Sequence, residues 1–197
     1  MTTYNEIAGR RVNFLSSDPS YVDTNSDGQV WYNSTSATLK AWLPTGVFSA
    51  GGNLNTARYV QGAAGAGTQS NTLTFGGFTG PGGANTAATE AYNGIAWTNG
   101  GNLGTARRAL GGAGASSSSA VAMGGFTTVS VDSTELYNGT SWTNDSASLA
   151  TGRVVLGGSP AGTQTSALAF AGTTGSNSAA TEEYTGAFLS TKKITTS

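Results

Sequence analysis

The chain has 197 residues, 30 of them glycine, with no cysteine, no histidine and a formal net charge of −1 from only 10% charged residues. Such a length suits one domain with or without a small appendage, and about 70% of the unfolded surface can be buried without disulfides. The missing residue types exclude a Cys/His zinc site, a Ser-His-Asp triad and a Cys-His dyad; nine basic residues make a poor nucleic-acid binder, and no apolar run approaches the ~20 residues of a membrane span.

The N-terminus, Met1-Thr2-Thr3-Tyr4-Asn5-Glu6, lacks the basic and apolar regions of a secretory signal, so Sec-type export is not expected. Residues 1–46 hold four of the ten acidic residues and form a small N-terminal β-hairpin arm that anchors the chain or reaches a neighbour. Val12–Leu15 is a short strand and Ser16–Ser20 a loop. Gly28–Asn33 is a strand, Ser34–Ala37 a turn, and Thr38–Trp42 the returning strand. Asp23-Thr24-Asn25-Ser26-Asp27-Gly28 matches the first half of a calcium loop, which makes Asp23, Asn25 and Asp27 a weak calcium candidate. The twelfth position, where an EF-hand needs a bidentate Glu, is Ser34, and Asp-Gly also simply starts a hairpin, so a turn is the preferred reading.

From residue 47 the chain repeats itself. Asn53-Leu54-Asn55-Thr56-Ala57-Arg58 returns as Asn102-Leu103-Gly104-Thr105-Ala106-Arg107 and, more loosely, as Ser148-Leu149-Ala150-Thr151-Gly152-Arg153. An apolar strand ending in small residues follows each time: Thr72–Phe78, Ala120–Phe126 and Ala167–Thr173. The third landmark is Thr89-Glu90-Ala91-Tyr92-Asn93-Gly94-Ile95-Ala96-Trp97. It recurs as Thr134-Glu135-Leu136-Tyr137-Asn138-Gly139-Thr140-Ser141-Trp142 and as Thr181-Glu182-Glu183-Tyr184-Thr185-Gly186-Ala187-Phe188. The repeats run over about 47–97, 98–142 and 143–188, and residues 189–197 are a polar tail.

Each repeat predicts four short strands and no helix, because a 3.6-residue apolar period is absent. The first strand follows the arginine (Arg58-Tyr59-Val60, Arg107–Leu110, Arg153–Leu156), the second precedes the glycine pair, the third carries Glu and Tyr, and the fourth carries Trp or Phe. Asn93-Gly94 and Asn138-Gly139 predict type I′ hairpins between the third and fourth strands. Phe48–Leu54 matches Trp97–Leu103, so Phe48 reads as the fourth strand of an otherwise missing blade.

A period of 45–50 residues with Gly-Gly, then Tyr, then Trp, resembles kelch repeats over residues 47–188. The resemblance implies an all-β fold of kelch-like four-stranded blades, three repeats making a partial β-propeller, with the aromatics between blades and the glycines where a strand crowds the axis. Arg58, Arg107 and Arg153, with Glu90, Glu135 and Glu182, are scarce charges that recur once per repeat. They are read as structural ion pairs within or between blades, ahead of a ligand-binding ring. Tyr92, Tyr137, Tyr184, Trp97, Trp142 and Phe188 are read as core. Because complete propellers have about 4–8 blades, three repeats predict a homo-oligomer, a dimer closing six blades or a trimer stacking arcs.

A second resemblance covers the N-terminal segment. Arg11–Pro19, Gly28–Asn33 and Thr38-Leu39-Lys40, followed by repeats of the form Thr-Ala-Arg … Gly-Gly … Tyr-Asn-Gly-Thr-Ser-Trp, are similar to the start of structural proteins from tailed phages of marine bacteria, cyanophages among them. This resemblance implies a non-enzymatic virion component assembled in the host cytoplasm: a capsid decoration, tail fibre or adaptor. Its partners would be copies of itself and other virion proteins, with a host-surface glycan or protein met through the loops Thr79–Ala88, Phe126–Ser133 and Thr173–Ala180. A lectin-like kelch module is the alternative. Kelch-like copper oxidases need His ligands, which are missing here. The adjacent carboxylates Glu182 and Glu183 face opposite sides of one strand, a poor glycosidase couple. Gly62-Ala63-Ala64-Gly65 and Gly111-Gly112-Ala113-Gly114 lead into no lysine or helix, so no phosphate cradle and no cofactor is expected.

Overall fold

The computed structural model describes residues 12–19, 29–42, 48–65 and 69–186. Two compact units divide the chain, Met1–Ala50 and Gly51–Ser197. Among the described residues every regular element is a β-strand.

In the first unit, β1 (Asn13–Leu15), β2 (Val30–Asn33) and β3 (Thr38–Ala41) form one sheet in the order β1-β2-β3. β2 and β3 are an antiparallel hairpin, and β1 joins β2 in parallel, Asn13 beside Trp31. Asn33 makes the turn: its Oδ1 accepts the N–H groups of Thr35 and Ser36 at 3.0 Å each, the Asx geometry that lets this side chain stand in for a backbone carbonyl. The calcium candidate, Asp23, Asn25 and Asp27, lies outside the described residues, as do Phe188 and the tail.

The second unit holds three consecutive sheets. β4 (Gly62–Gly65), β5 (Thr72–Phe75), β6 (Thr89–Tyr92) and β7 (Trp97–Asn99) form the first, in chain order. β8 (Gly111–Ser116), β9 (Ser119–Met123), β10 (Ser133–Tyr137) and β11 (Trp142–Ser148) form the second, and β12 (Gly157–Gly158), β13 (Ala167–Phe170) and β14 (Thr181–Tyr184) the third. All pairings are antiparallel, and none of the sheets is closed.

Three expectations are corrected. The first strand of each repeat does not follow the arginine directly. Tyr59, Arg108 and Val154 make single-residue bridges to Phe78, Phe126 and Thr173, and the strand starts about four residues after the arginine, in the glycine-rich stretch. The break falls at Val60, Ala109 and Val155, which take φ of 50°, 54° and 54°. Such left-handed values are uncommon outside glycine and outlying for valine, so the chain cannot run on as a strand through them. The Asn-Gly hairpins are not type I′. Tyr92 pairs with Trp97 and Tyr137 with Trp142 across four-residue loops in which only Gly94 and Gly139 have positive φ. Asn93 and Asn138 instead turn their side chains onto the two N–H groups ahead, at 2.9 Å each. Phe48 belongs to no strand and is fully exposed.

Neighbouring repeats join through the residues at these breaks. Between the first and second, Gly77 N–H donates to Arg107 C=O at 2.9 Å and Ala109 N–H to Val60 C=O at 2.7 Å. Between the second and third, Gly125 N–H donates to Arg153 C=O at 2.8 Å and Val155 N–H to Ala109 C=O at 2.7 Å. The strained φ values therefore serve a backbone ladder that runs from repeat to repeat. The first strands pack almost backbone on backbone: a Cβ on Gly112 would stand 2.2 Å from Ala63 O, and one on Gly158 2.2 Å from Gly112 O. Only glycine permits that approach.

The core lies in the same two seams. Leu73 and Phe75 of β5 pack against Ala120 and Ala122 of β9, with Leu103, Leu110 and Trp142 around them. Val121 and Met123 of β9 pack against Ala167 and Ala169 of β13, with Leu149 and Leu156. Large residues on one strand thus face small ones on the next sheet, which brings the sheets close.

Candidate functional site

The repeated charges converge on one construction, made three times. Each glutamate sits on the third strand opposite a small residue of the second: Glu90 across from Thr74, Glu135 from Ala122, Glu182 from Ala169. That leaves room for the arginine of the same repeat. Arg58 Nη2 meets Glu90 Oε1 at 2.7 Å, Arg107 Nη2 lies 3.1 Å from Glu135 Oε1, and Arg153 Nη2 meets Glu182 Oε1 at 2.5 Å. The pairing is within each repeat, not between repeats.

Both partners also hold backbone. The other guanidinium nitrogen donates to the carbonyl two residues before the glutamate: Arg58 to Ala88 at 2.8 Å, Arg107 to Ser133 at 2.9 Å, Arg153 to Ala180 at 2.9 Å. The second carboxylate oxygen accepts the N–H three residues before the arginine: Asn55, Gly104 and Ala150, each at 2.7 Å. The clamp therefore ties the entry loop, the third strand and the turn before it into one unit. The arginine side chains are fully or almost fully buried, and burial pulls the guanidinium groups of Arg58 and Arg107 below their usual value while Glu90 and Glu135 oppose the fall. Arginine stays charged regardless, and a buried charge needs its partner. The Nε of all three is buried without a hydrogen-bond partner.

The aromatic landmarks sit between strands and between repeats. Trp142 rests against Tyr137 of its own hairpin at 5.0 Å and against Phe75 of the preceding repeat at 4.8 Å, and its Nε1 donates to Thr89 Oγ1 at 2.9 Å. Trp97 makes the equivalent contact with Tyr92 at 5.0 Å but is only half-buried. The tyrosine hydroxyls point at the position three residues after Phe48, Trp97 and Trp142. That position is glycine facing Tyr92 and Tyr137, where a Cβ would stand 2.9 Å and 2.5 Å from the hydroxyl oxygens. It is Asp145 facing Tyr184, whose hydroxyl donates to that carboxylate in a short hydrogen bond. Tyr184 is pushed up by burial and then by Asp145, and Asp145 is held down chiefly by the same bond.

Two groups carry interactions that the sequence did not signal. Asp18, in a loop, accepts Lys40 Nζ at 2.6 Å, Asn33 Nδ2 at 2.7 Å and Trp31 Nε1 at 3.1 Å. These donors, Lys40 first, lower its carboxyl to about 2. Arg108 lies over two rings, 4.8 Å from the centroid of Phe78 and 4.6 Å from that of Phe126, with Nη1 donating to Asn85 Oδ1 at 2.8 Å. A loop aspartate and a second arginine in a row have no spacing that marks them.

Among the described residues no three His, Cys, Asp or Glu side chains gather as a metal site, and Glu182 and Glu183 alternate across β14. No protein-family model matches the chain, and no curated protein matches it.

Proposed function

We propose that this chain is a non-enzymatic structural protein of a tailed-phage virion, a capsid decoration, tail fibre or adaptor. In this reading the three sheets are kelch-like blades of a β-propeller-type body, and residues 1–46 are the anchoring arm. The observation that carries it is the clamp built three times. The charges that recur with the repeat are each tied to a partner and to backbone within the same repeat, so the repeat is an architectural unit, not a ring of ligand-binding groups. The likeness of residues 11–40 to phage structural proteins supplies the setting. The loops between second and third strands, 76–88, 124–132 and 171–180, differ from one another on a constant frame and are the part suited to host-surface contact.

The test is mass spectrometry and immunogold labelling of gradient-purified particles of a phage whose genome encodes this chain. The chain should band with the particles at a fixed copy number. Its presence in the lysate but not in washed particles would overturn the virion role.

A carbohydrate-binding module is the second reading. The Phe78–Arg108–Phe126 stack favours it, as half-buried aromatic faces held rigidly beside two of the loops are a platform for a sugar ring. A glycan array probed with a multivalent form of the chain should then give hits that Phe126→Ala removes. An array with no hits removes this reading and leaves the first standing.

A further inference from the structure

We propose that the two ends of the three-repeat arc bind each other head to tail between two copies of this chain, so that a pair closes a ring of six repeats. The proposal rests on the blade reading of the repeats but not on the virion role.

Both internal seams use the same two backbone bonds, and each end of the arc presents one half of that pattern. At the third repeat Gly172 N–H and Val155 C=O, the counterparts of groups bonded in both seams, have no partner among the described residues. At the first repeat Arg58 C=O and Val60 N–H are equally unpaired. Extending the ladder by one step joins Gly172 N–H to Arg58 C=O and Val60 N–H to Val155 C=O.

The side chains agree. Leu73 and Phe75 in the first repeat and Val121 and Met123 in the second are 0–1% exposed, whereas their counterparts Leu168 and Phe170 are 38% and 41% exposed. Trp142 finds Phe75 and Thr89 on the repeat before it; Trp97 has no repeat before it, and its match on the third repeat is Phe170 with the exposed Thr181. What one end lacks, the other offers. One copy has too few repeats for a propeller-like ring of about 4–8 blades, two give six, and three would overshoot. A head-to-tail contact that closes in this way leaves no unpacked sheet face at either end of the arc.

This outer seam is looser than the inner ones. Gln61 stands where Leu110 and Leu156 stand, and Ala63 replaces the glycine that Gly112 and Gly158 provide. Association is therefore reversible and concentration-dependent, and Ala63→Gly tightens it.

Light scattering of the full chain over a hundredfold range of concentration should show a mass rising from 19.7 kDa to twice that value. Phe170→Asp, at an exposed position that leaves the monomer fold intact by circular dichroism, should abolish the rise, and Ala63→Gly should shift the midpoint to lower concentration. Direction is read by cross-linking. The chain has no cysteine, so Gln61→Cys and Ala171→Cys each carry a single thiol. Mixed and oxidised, the two variants should give a linked pair, and neither should do so alone. A monomer at every concentration, a dimer indifferent to Phe170→Asp, a linked pair from Gln61→Cys alone, or a mass beyond two copies would each overturn the proposal. None of these outcomes bears on whether the chain is found in virions.

Discussion

The second and third repeats share their landmarks but not their surroundings. In the second, Val121, Met123 and Glu135 are buried; in the third, the equivalent Leu168, Phe170 and Glu182 are partly open to solvent. Leu168 and Phe170 are no smaller or more polar than Val121 and Met123. What differs is the sheet that follows. Burial in this chain is a property of the seam between repeats, and a repeat's own sequence prepares a face that only a neighbour completes.

Substitutions at matched positions sharpen that contrast. The largest effect is expected in the first seam: Phe75→Ala should cost about 3–5 kcal/mol, since it empties a fully enclosed site, while Phe170→Ala should cost about 1 kcal/mol or less in the monomer. Urea unfolding of both variants below the association range reads the difference, and equal losses would break the comparison. Removing one partner of a buried pair is next. Arg107→Met should cost about 3 kcal/mol, because Glu135 is left charged and enclosed, and Arg153→Met less, because Glu182 is already partly solvated. Thermal melts of the two variants should keep that order.

A smaller effect follows at the tryptophans. Trp142→Phe removes the bond to Thr89 Oγ1 and should cost about 1 kcal/mol beyond the lost contact area, whereas Trp97→Phe should be near neutral in the monomer and should weaken association. The smallest concerns the other unit. Asp18 is held at about 2, below the ordinary carboxylate value of 3.8. A lowered carboxyl stabilises the fold at pH above its unfolded value, and the contribution is lost as pH falls from about 4 through about 2. Fluorescence of Trp31 should report this acid transition, and Asp18→Asn should remove its pH dependence while leaving the clamps unchanged.

How far the sequence spoke depended on the kind of signal. The recurrence of Arg and Glu is visible because charges are scarce, and the structure joins Arg58 to Glu90, Arg107 to Glu135 and Arg153 to Glu182 within each repeat. Strands with alternating large residues, such as Thr72–Phe75 and Ala120–Met123, also declare themselves. The true first strands were hidden because Val60, Ala109 and Val155 carry no turn signature: their left-handed φ is imposed by the seam, a tertiary cause. Asn93-Gly94 misled because asparagine can enter a turn by its backbone or by its side chain, and here it uses the side chain. Asp18 was unreadable, since its three donors come from two strands distant in sequence.

The ladder through Val60, Ala109 and Val155 joins repeats by backbone atoms alone. Its grammar does not depend on which side chains a repeat carries in its loops. A gene that gains or loses a unit of 45–50 residues by unequal recombination would keep every remaining joint intact, and the loops could drift independently on each unit. The number of repeats is thus a quantity that this architecture leaves free to change.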